Sequence, residues 1–322
     1  MTLPCRVAGV IDQPPPDSTE LSEQAAASGL ESISLTIRDG DGSALEFAAL
    51  AVGDGPLALC LHGYPDSAWT WRHLLPGLAA AGYRAVAPFN RGYAPTQIPS
   101  TPRYQAGVLG VDANALHEAL GADGDAVVIG HDWGAMGAYA AASLAPERWR
   151  RVVAAAVPPG PVVAEGFFSY DQLHLSWYMF FQLNDMADVV VPMNDHEFIS
   201  RLWQDWSPGF DGNEDVARFV ACMPTADHLG AALGYYRHTL LPELQDPALA
   251  EAQAAVFAIP PQPLLYLHGR TDGCMSPTLA ATSDQHLTVP GSRTVMVDGA
   301  GHFLQLERPD VVNAEILAFL AE

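Results

Sequence analysis

One carboxylate in the chain stands in a pattern suited to a reactive side chain. Gly130-His131-Asp132-Trp133-Gly134 follows the apolar run Ala126-Val127-Val128-Ile129 and opens a helical stretch reaching about Leu144. Gly-x-nucleophile-x-Gly at a strand-to-helix turn has the form of a nucleophile elbow, where small residues permit a strained turn that exposes the middle side chain. Amides at the N-terminus of the following helix favour an anion there. With Asp in the middle instead of Ser, the chemistry changes. Attack on an ester carbonyl would give a reactive anhydride. Attack on an sp³ carbon bearing a good or activated leaving group gives an alkyl ester that water can cleave. The competing reading is a helix cap at Asp132.

Three further segments stand where partners for such a residue are needed. The run Leu57–Leu61 ends in His62-Gly63-Tyr64-Pro65, so the amides of Tyr64 and Trp133 are candidates to hold an oxyanion. The run Pro263–Leu267 ends in His268-Gly269-Arg270-Thr271-Asp272-Gly273, which offers a carboxylate, although Asp272 also suits a turn. Arg293–Val297 leads into Gly299-Ala300-Gly301-His302-Phe303, a histidine in a loop of small residues. The order Asp132, Asp272, His302 is that of a nucleophile–acid–histidine triad.

The elements that must position these residues follow from hydropathy. Ile33, Leu35 and Ile37 alternate with Ser32, Ser34 and Thr36, and Asp39-Gly40-Asp41-Gly42 predicts a hairpin turn into Leu45–Val52. Short strands are expected at Leu57–Leu61, Ala85–Ala87, Ala126–Ile129 and Val152–Val157, with helices at Trp69–Ala81, Ala106–Leu120 and after Gly130. Strands alternating with helices imply an α/β fold with a mostly parallel sheet covered on both faces. From Pro161 to about Leu249 only helical patterns occur, and fourteen of the chain's 29 aromatic residues lie there. The β/α alternation resumes with Pro263–Leu267, a helix near Pro277–His286, Arg293–Val297 and a helix at Pro309–Leu320. The expected organisation is an N-terminal extension (1–30), a core (31–160), a helical insert (161–249) and the rest of the core (250–322).

Composition narrows the partners. The 322 residues carry a formal charge of −22, and all fifteen basic residues are Arg. An acidic, lysine-free chain is a poor partner for nucleic acid or anionic membranes. Cys5, Cys60, Cys222 and Cys274 are widely spaced, which argues against a disulfide framework or zinc site. No apolar stretch approaches the ~18 residues that span a bilayer, and no secretory apolar core follows Met1–Val10, so a soluble cytoplasmic protein is expected. Asp211-Gly212-Asn213-Glu214-Asp215 resembles the start of a calcium loop, but Val216 and Cys222 occupy its sixth and twelfth positions. No phosphate-binding glycine loop is present.

His62-Gly63-Tyr64-Pro65, Arg91-Gly92-Tyr93, Gly130-His131-Asp132-Trp133-Gly134 and Gly301-His302 together resemble the α/β-hydrolase superfamily, in its epoxide hydrolase/haloalkane dehalogenase branch. The resemblance spans about residues 31–320. It implies a core sheet with a helical cap, Asp132 as nucleophile, His302 as the base activating water, and Asp272 orienting His302. It implies no metal and no organic cofactor. His62, Trp177 and Phe181 are expected to contact a small hydrophobic substrate, and a homodimer is allowed for.

The two branches differ in the leaving group. An epoxide yields an alkoxide and needs a proton donor, in the family usually a pair of cap tyrosines. A halide needs only hydrogen-bond donors. Gly234-Tyr235-Tyr236-Arg237 resembles the segment carrying one such tyrosine, with Tyr236 at the matching position. In Ser176-Trp177-Tyr178-Met179-Phe180-Phe181-Gln182, counting back from Gln182 places Trp177 at the usual tyrosine, and a shift of one residue restores Tyr178. Tyr64 stands where many haloalkane dehalogenases have a halide-binding Asn, and no acid follows Val152–Val157. An epoxide hydrolase is the favoured expectation. A haloalkane dehalogenase and a non-catalytic ligand-binding relative are the alternatives.

Overall fold

A computed structural model describes residues 18–322. Cys5, the Pro14–Pro16 run and the other residues before Ser18 lie outside the described residues. Eight strands, β1 (Glu31–Arg38), β2 (Ala44–Val52), β3 (Leu57–Leu61), β4 (Arg84–Pro88), β5 (Val127–His131), β6 (Arg151–Ala155), β7 (Leu264–Gly269) and β8 (Arg293–Val297), form one sheet in the order 1-2-4-3-5-6-7-8. β1 and β2 pair antiparallel through the turn at Asp39–Ser43, and β2 pairs antiparallel with β4. Every other pairing is parallel, so β3, β5, β7 and β8 all deliver their C-terminal loops to one edge. Alternate residues of the apolar strands enter two cores. Val127 and Ile129 pack on one face with the helical insert, and Val128 packs on the other.

The helices are α1 (Ser18–Ala27), α2 (Leu75–Ala80), α3 (Gly107–Ala119), α4 (Trp133–Leu144), then α5 (Gly160–Gly166), α6 (Tyr170–Leu175), α7 (Trp177–Gln182), α8 (Met186–Val190), α9 (Met193–Trp206), α10 (Asn213–Ala221) and α11 (Ala226–Leu240). They are followed by α12 (Ala250–Ala255), α13 (Pro277–Ala280), α14 (Leu304–Glu307) and α15 (Pro309–Ala321). Three features depart from expectation, the first being the helix near Pro277–His286, which is reduced to α13 and a 3₁₀ turn at Ser283–Gln285. The helix expected over Trp69–Ala81 is broken into a 3₁₀ turn at Ala68–Trp71 and α2, whose first turn contains Pro76. Proline has no N–H to continue a helix and fits the start of one. Residues 18–30, expected within an extension ahead of the core, contain α1 and bury Leu21, Ala25 and Leu30 in the larger core.

A buried cation braces the loop after β4. The Arg91 guanidinium lies against both carboxylate oxygens of Asp112 on α3 and 3.3 Å from Asp39 of the hairpin turn. The Tyr235 hydroxyl of α11 donates to the Arg91 carbonyl at 3.0 Å, tying this loop to the helical insert.

Candidate active site

Asp132 follows β5 and precedes α4 with φ 54° and ψ −120°, a conformation that is costly for a residue with a Cβ. It occupies the N-cap position, yet its carboxylate makes no capping hydrogen bond. The turn closes because of its glycines. A Cβ on Gly130 would run into the Gly134 carbonyl, one on Gly134 into the Leu61 carbonyl, and one on Gly63 into Asp132 itself. The carboxylate therefore points away from its own helix. It meets the loop after β3, where the Tyr64 N–H donates to Oδ1 at 2.8 Å.

The free oxygen faces a histidine. Asp132 Oδ2 lies 3.7 Å from His302 Nε2, and His302 Nδ1 is 3.0 Å from Asp272 Oδ2. Asp272 Oδ1 accepts the N–H groups of Cys274 and Met275 at 2.7 and 3.0 Å, which orients the carboxylate toward the ring. Burial disfavours a charged imidazole, but Cys274, Asp272 and Asp132 around His302 outweigh it and hold its pKa well above the usual range. Burial likewise opposes ionisation of Asp272, and the neighbouring His302 overcomes it and lowers that pKa. The three residues that the sequence ordered as a triad are thus brought together.

Aromatic side chains from the insert roof this carboxylate. Tyr236 is buried edge-on to Trp133 and Tyr64, with ring centroids 4.9 and 5.3 Å apart, and to Tyr178 at 5.8 Å. Tyr178 is buried, packs on Trp206 at 4.6 Å, and places its hydroxyl 3.3 Å from Cys274 Sγ. Burial, with the Asp132 charge contributing, pushes both tyrosine pKa values well up, so both hydroxyls stay protonated. The Tyr236 hydroxyl makes no well-aligned hydrogen bond among the described residues, although Tyr178 lies close enough to interact with it.

Other expectations are redistributed. Trp177 is 48 % exposed and packs on Phe181 and Phe198, so α7 turns Tyr178, and not Trp177, toward Asp132. Phe181 is partly buried and packs against the main core beside Trp177. His62, expected to contact substrate, has both ring nitrogens committed to backbone: Nδ1–H donates to the Gly63 carbonyl at 2.9 Å and Nε2 accepts the Asn90 N–H at 3.0 Å. Burial lowers its pKa to about 4, so it is a neutral brace of the Tyr64 loop. Tyr235 is spent on Arg91. Trp133 supplies a wall; its indole N–H is buried with no hydrogen-bond partner among the described residues. An open groove between α1, Trp69 and α10 contains none of these residues.

Some site residues had no local signal. Cys274 reaches Tyr178 only because the loop after β7 folds under the insert. Gln182 donates to the Tyr64 hydroxyl at 2.7 Å, and Gln172 links α6 to the Cys274 carbonyl at 3.0 Å and the Ser276 N–H at 2.8 Å. Among the described residues, Asp272, Cys274 and His302 lie close enough together to hold a cation, but the cluster is already engaged in the pairing above. None of the described helices is long and apolar enough to cross a membrane.

A mostly parallel sheet with a sharp elbow after its central strand and a histidine after its last strand is the arrangement of the α/β hydrolases. A family model described as alpha/beta hydrolase fold matches residues 56–309, and the chain belongs to that family. Among its relatives, an AB hydrolase superfamily protein, YfhM of Bacillus subtilis, is 30 % identical over 284 residues, covering 87 % of this chain and 95 % of the relative. Epoxide hydrolase A of Mycobacterium tuberculosis is 28 % identical over 318 residues, covering 88 % and 95 %. The solved structure of an epoxide hydrolase from an endophytic Streptomyces superposes with a TM-score of 0.68 at 28 % identity, covering 90 % of this chain and 95 % of that one.

Proposed function

We propose that this chain is an epoxide hydrolase that opens a small hydrophobic epoxide to a vicinal diol through an ester on Asp132. The observation carrying this reading is the pair of buried, protonated tyrosine hydroxyls, Tyr178 and Tyr236, packed over an Asp-centred elbow. Relatives named epoxide hydrolases support it.

Oδ1 of Asp132 is held by the Tyr64 amide, so Oδ2 is the attacking atom. It forms a bond to an epoxide carbon as the carbon–oxygen bond breaks, and the departing oxygen takes a proton from Tyr236 or Tyr178. With the Asp132 charge removed by the ester, His302 gives its proton to the tyrosinate, and its free Nε2 then takes a proton from water, whose oxygen attacks the ester carbonyl. The resulting oxyanion sits on former Oδ1, at the Tyr64 amide with the Trp133 amide as second donor. Collapse expels the second diol oxygen, which takes the proton back from His302, and the carboxylic acid left on Asp132 gives its proton to His302, releasing the diol and restoring the carboxylate. Asp272 keeps the histidine tautomer and orientation. The walls supplied by Tyr64, Trp133, Tyr178, Trp206 and Tyr236 favour an apolar substrate.

Halide release is the second reading, favoured by the Trp133 indole N–H, which has no hydrogen-bond partner among the described residues. It lacks a second donor at Trp177, which lies half-exposed, and has Tyr64 in place of an Asn. A His302→Gln protein incubated with styrene oxide should accumulate a covalent adduct in intact mass. Absence of an adduct across a panel of epoxides, with halide released from bromoalkanes, would overturn the epoxide assignment.

A further inference from the structure

The loops that carry His302 and Asp272 converge on the end of a cap helix. The Trp206 carbonyl, at the C-terminus of α9, accepts the N–H of His302 at 3.0 Å and the N–H of Gly273 at 3.1 Å. One oxygen therefore sets the separation of the two loops. Ser207 Oγ accepts the Phe303 N–H at 3.1 Å and donates to Glu307 Oε1 at 2.6 Å. The Glu307 carboxylate folds back from α14 and accepts the Gly301 N–H on both oxygens, at 2.9 Å each. A Cβ on Gly301 would press on the Trp206 carbonyl and Ser207, and one on Gly273 would meet the Asp205 carbonyl.

We infer that Glu307, acting through Gly301 and Ser207, is the positioning residue for His302 in hydrolysis of the ester. The backbone on both sides of His302 ends on this carboxylate, directly at Gly301 and through Ser207 at Phe303. The His302 carbonyl is held separately by His131 Nε2–H at 2.9 Å. Glu307 touches none of the reacting atoms. Its removal frees residues 301–303 to shift the ring against Asp132, and a misplacement of about 1 Å costs up to about a hundredfold in rate. Alkylation of Asp132 does not use His302 as base, so the larger loss falls on the second step. Ser207 couples the effect to the cap, because its hydroxyl has one hydrogen to give and gives it to Glu307.

The inference rests on the Asp132 reaction proposed above, and the test separates the two. Glu307→Ala, Glu307→Gln, Ser207→Ala and the His302→Gln reference are mixed with styrene oxide and sampled by intact mass. Glu307→Ala is expected to form the adduct at close to the wild-type rate and to clear it on the order of ten- to a hundredfold more slowly. Glu307→Gln, which keeps an acceptor for Gly301, should recover most of the clearance rate. Ser207→Ala should show a milder loss in the same step, and carries the prediction if Glu307→Ala does not fold. Equal slowing of both steps, or adduct in His302→Gln but wild-type clearance in Glu307→Ala, overturns the positioning role. Without any substrate, the Nδ1–H proton resonance of the His302–Asp272 pair should move in Glu307→Ala and return in Glu307→Gln. An unchanged spectrum overturns the role even if no epoxide reacts.

Discussion

His302 Nε2 stands 3.7 Å from Asp132 Oδ2, so the nucleophile of the proposed reaction favours a proton on its base before substrate arrives. The charged ring cannot accept a proton from water. Forming the ester removes the charge on Asp132 and with it part of what holds the proton on His302. In this way the first chemical step prepares the base for the second.

An Asp132→Asn substitution should therefore lower the His302 pKa, although Asp272 still supports the charged form. Ring-proton NMR titration checks this, and an unchanged titration would refute the coupling. Because the folded pKa lies above the unfolded value of ~6.5, His302 contributes stability that is full below ~6.5 and lost as pH rises through the folded value. The substitution should flatten that slope in urea unfolding measured across the same range.

The elbow tolerates no side chain at its glycines. Gly130→Ala or Gly134→Ala would force a Cβ into backbone carbonyls. Each should cost about 2–3 kcal/mol in urea unfolding, the scale of core overpacking. A midpoint equal to wild type would show that the turn relaxes freely.

The paired tyrosines differ from their neighbour. Tyr178→Phe and Tyr236→Phe should each slow adduct formation at least ~10-fold, and the double substitution by about 10²–10⁴-fold, the range for general acid catalysis. Tyr235→Phe removes only the bond to the Arg91 carbonyl and should cost about 1 kcal/mol of stability with adduct formation retained. Single-turnover mass spectrometry distinguishes these outcomes. Full activity in the double variant would favour halide chemistry.

The Arg91–Asp112 pair is fully buried, and breaking it strands a charge. Asp112→Asn should destabilise the protein by about 3–5 kcal/mol, read as a fall in the urea midpoint. Activity should also fall, because the loop from Asn90 to Arg91 braces His62 and through it the Tyr64 loop. A loss below about 1 kcal/mol would mean that Asp39 alone suffices as counter-ion.

Much of this architecture is legible in residue order. Short apolar runs ending in Gly, His or Asp encode strands whose reactive residues fall at their C-terminal ends, and Asp132, Asp272 and His302 fall there. The register from Asp272 to His302 needs only that β7 and β8 be parallel neighbours, which their crossover length allows. Boundaries set by local chemistry were equally readable, such as the turn at Asp39–Ser43. Pro76, which starts α2, carried the signal for the break that the hydropathy pattern of Trp69–Ala81 concealed.

The insert was readable only as helices and aromatics. Trp177 and Tyr178 are adjacent, both amphipathic and both large, and nothing in their local spacing says which is turned inward. That is decided by Trp206, Cys274 and Tyr236, which reach Tyr178 from positions 28 to 96 residues away. His62 is the same kind of case: a histidine at a strand end reads as a ligand contact until the Asn90 amide, from the next strand's loop, takes its second nitrogen. By itself the sequence determined which residue types occupy which strand ends, because periodicity and turn chemistry are local. The facing of each insert side chain, the carboxylate pairing at His302 and the Glu307 anchor were decided by the tertiary structure alone, because burial and hydrogen-bond partners come from segments distant along the chain.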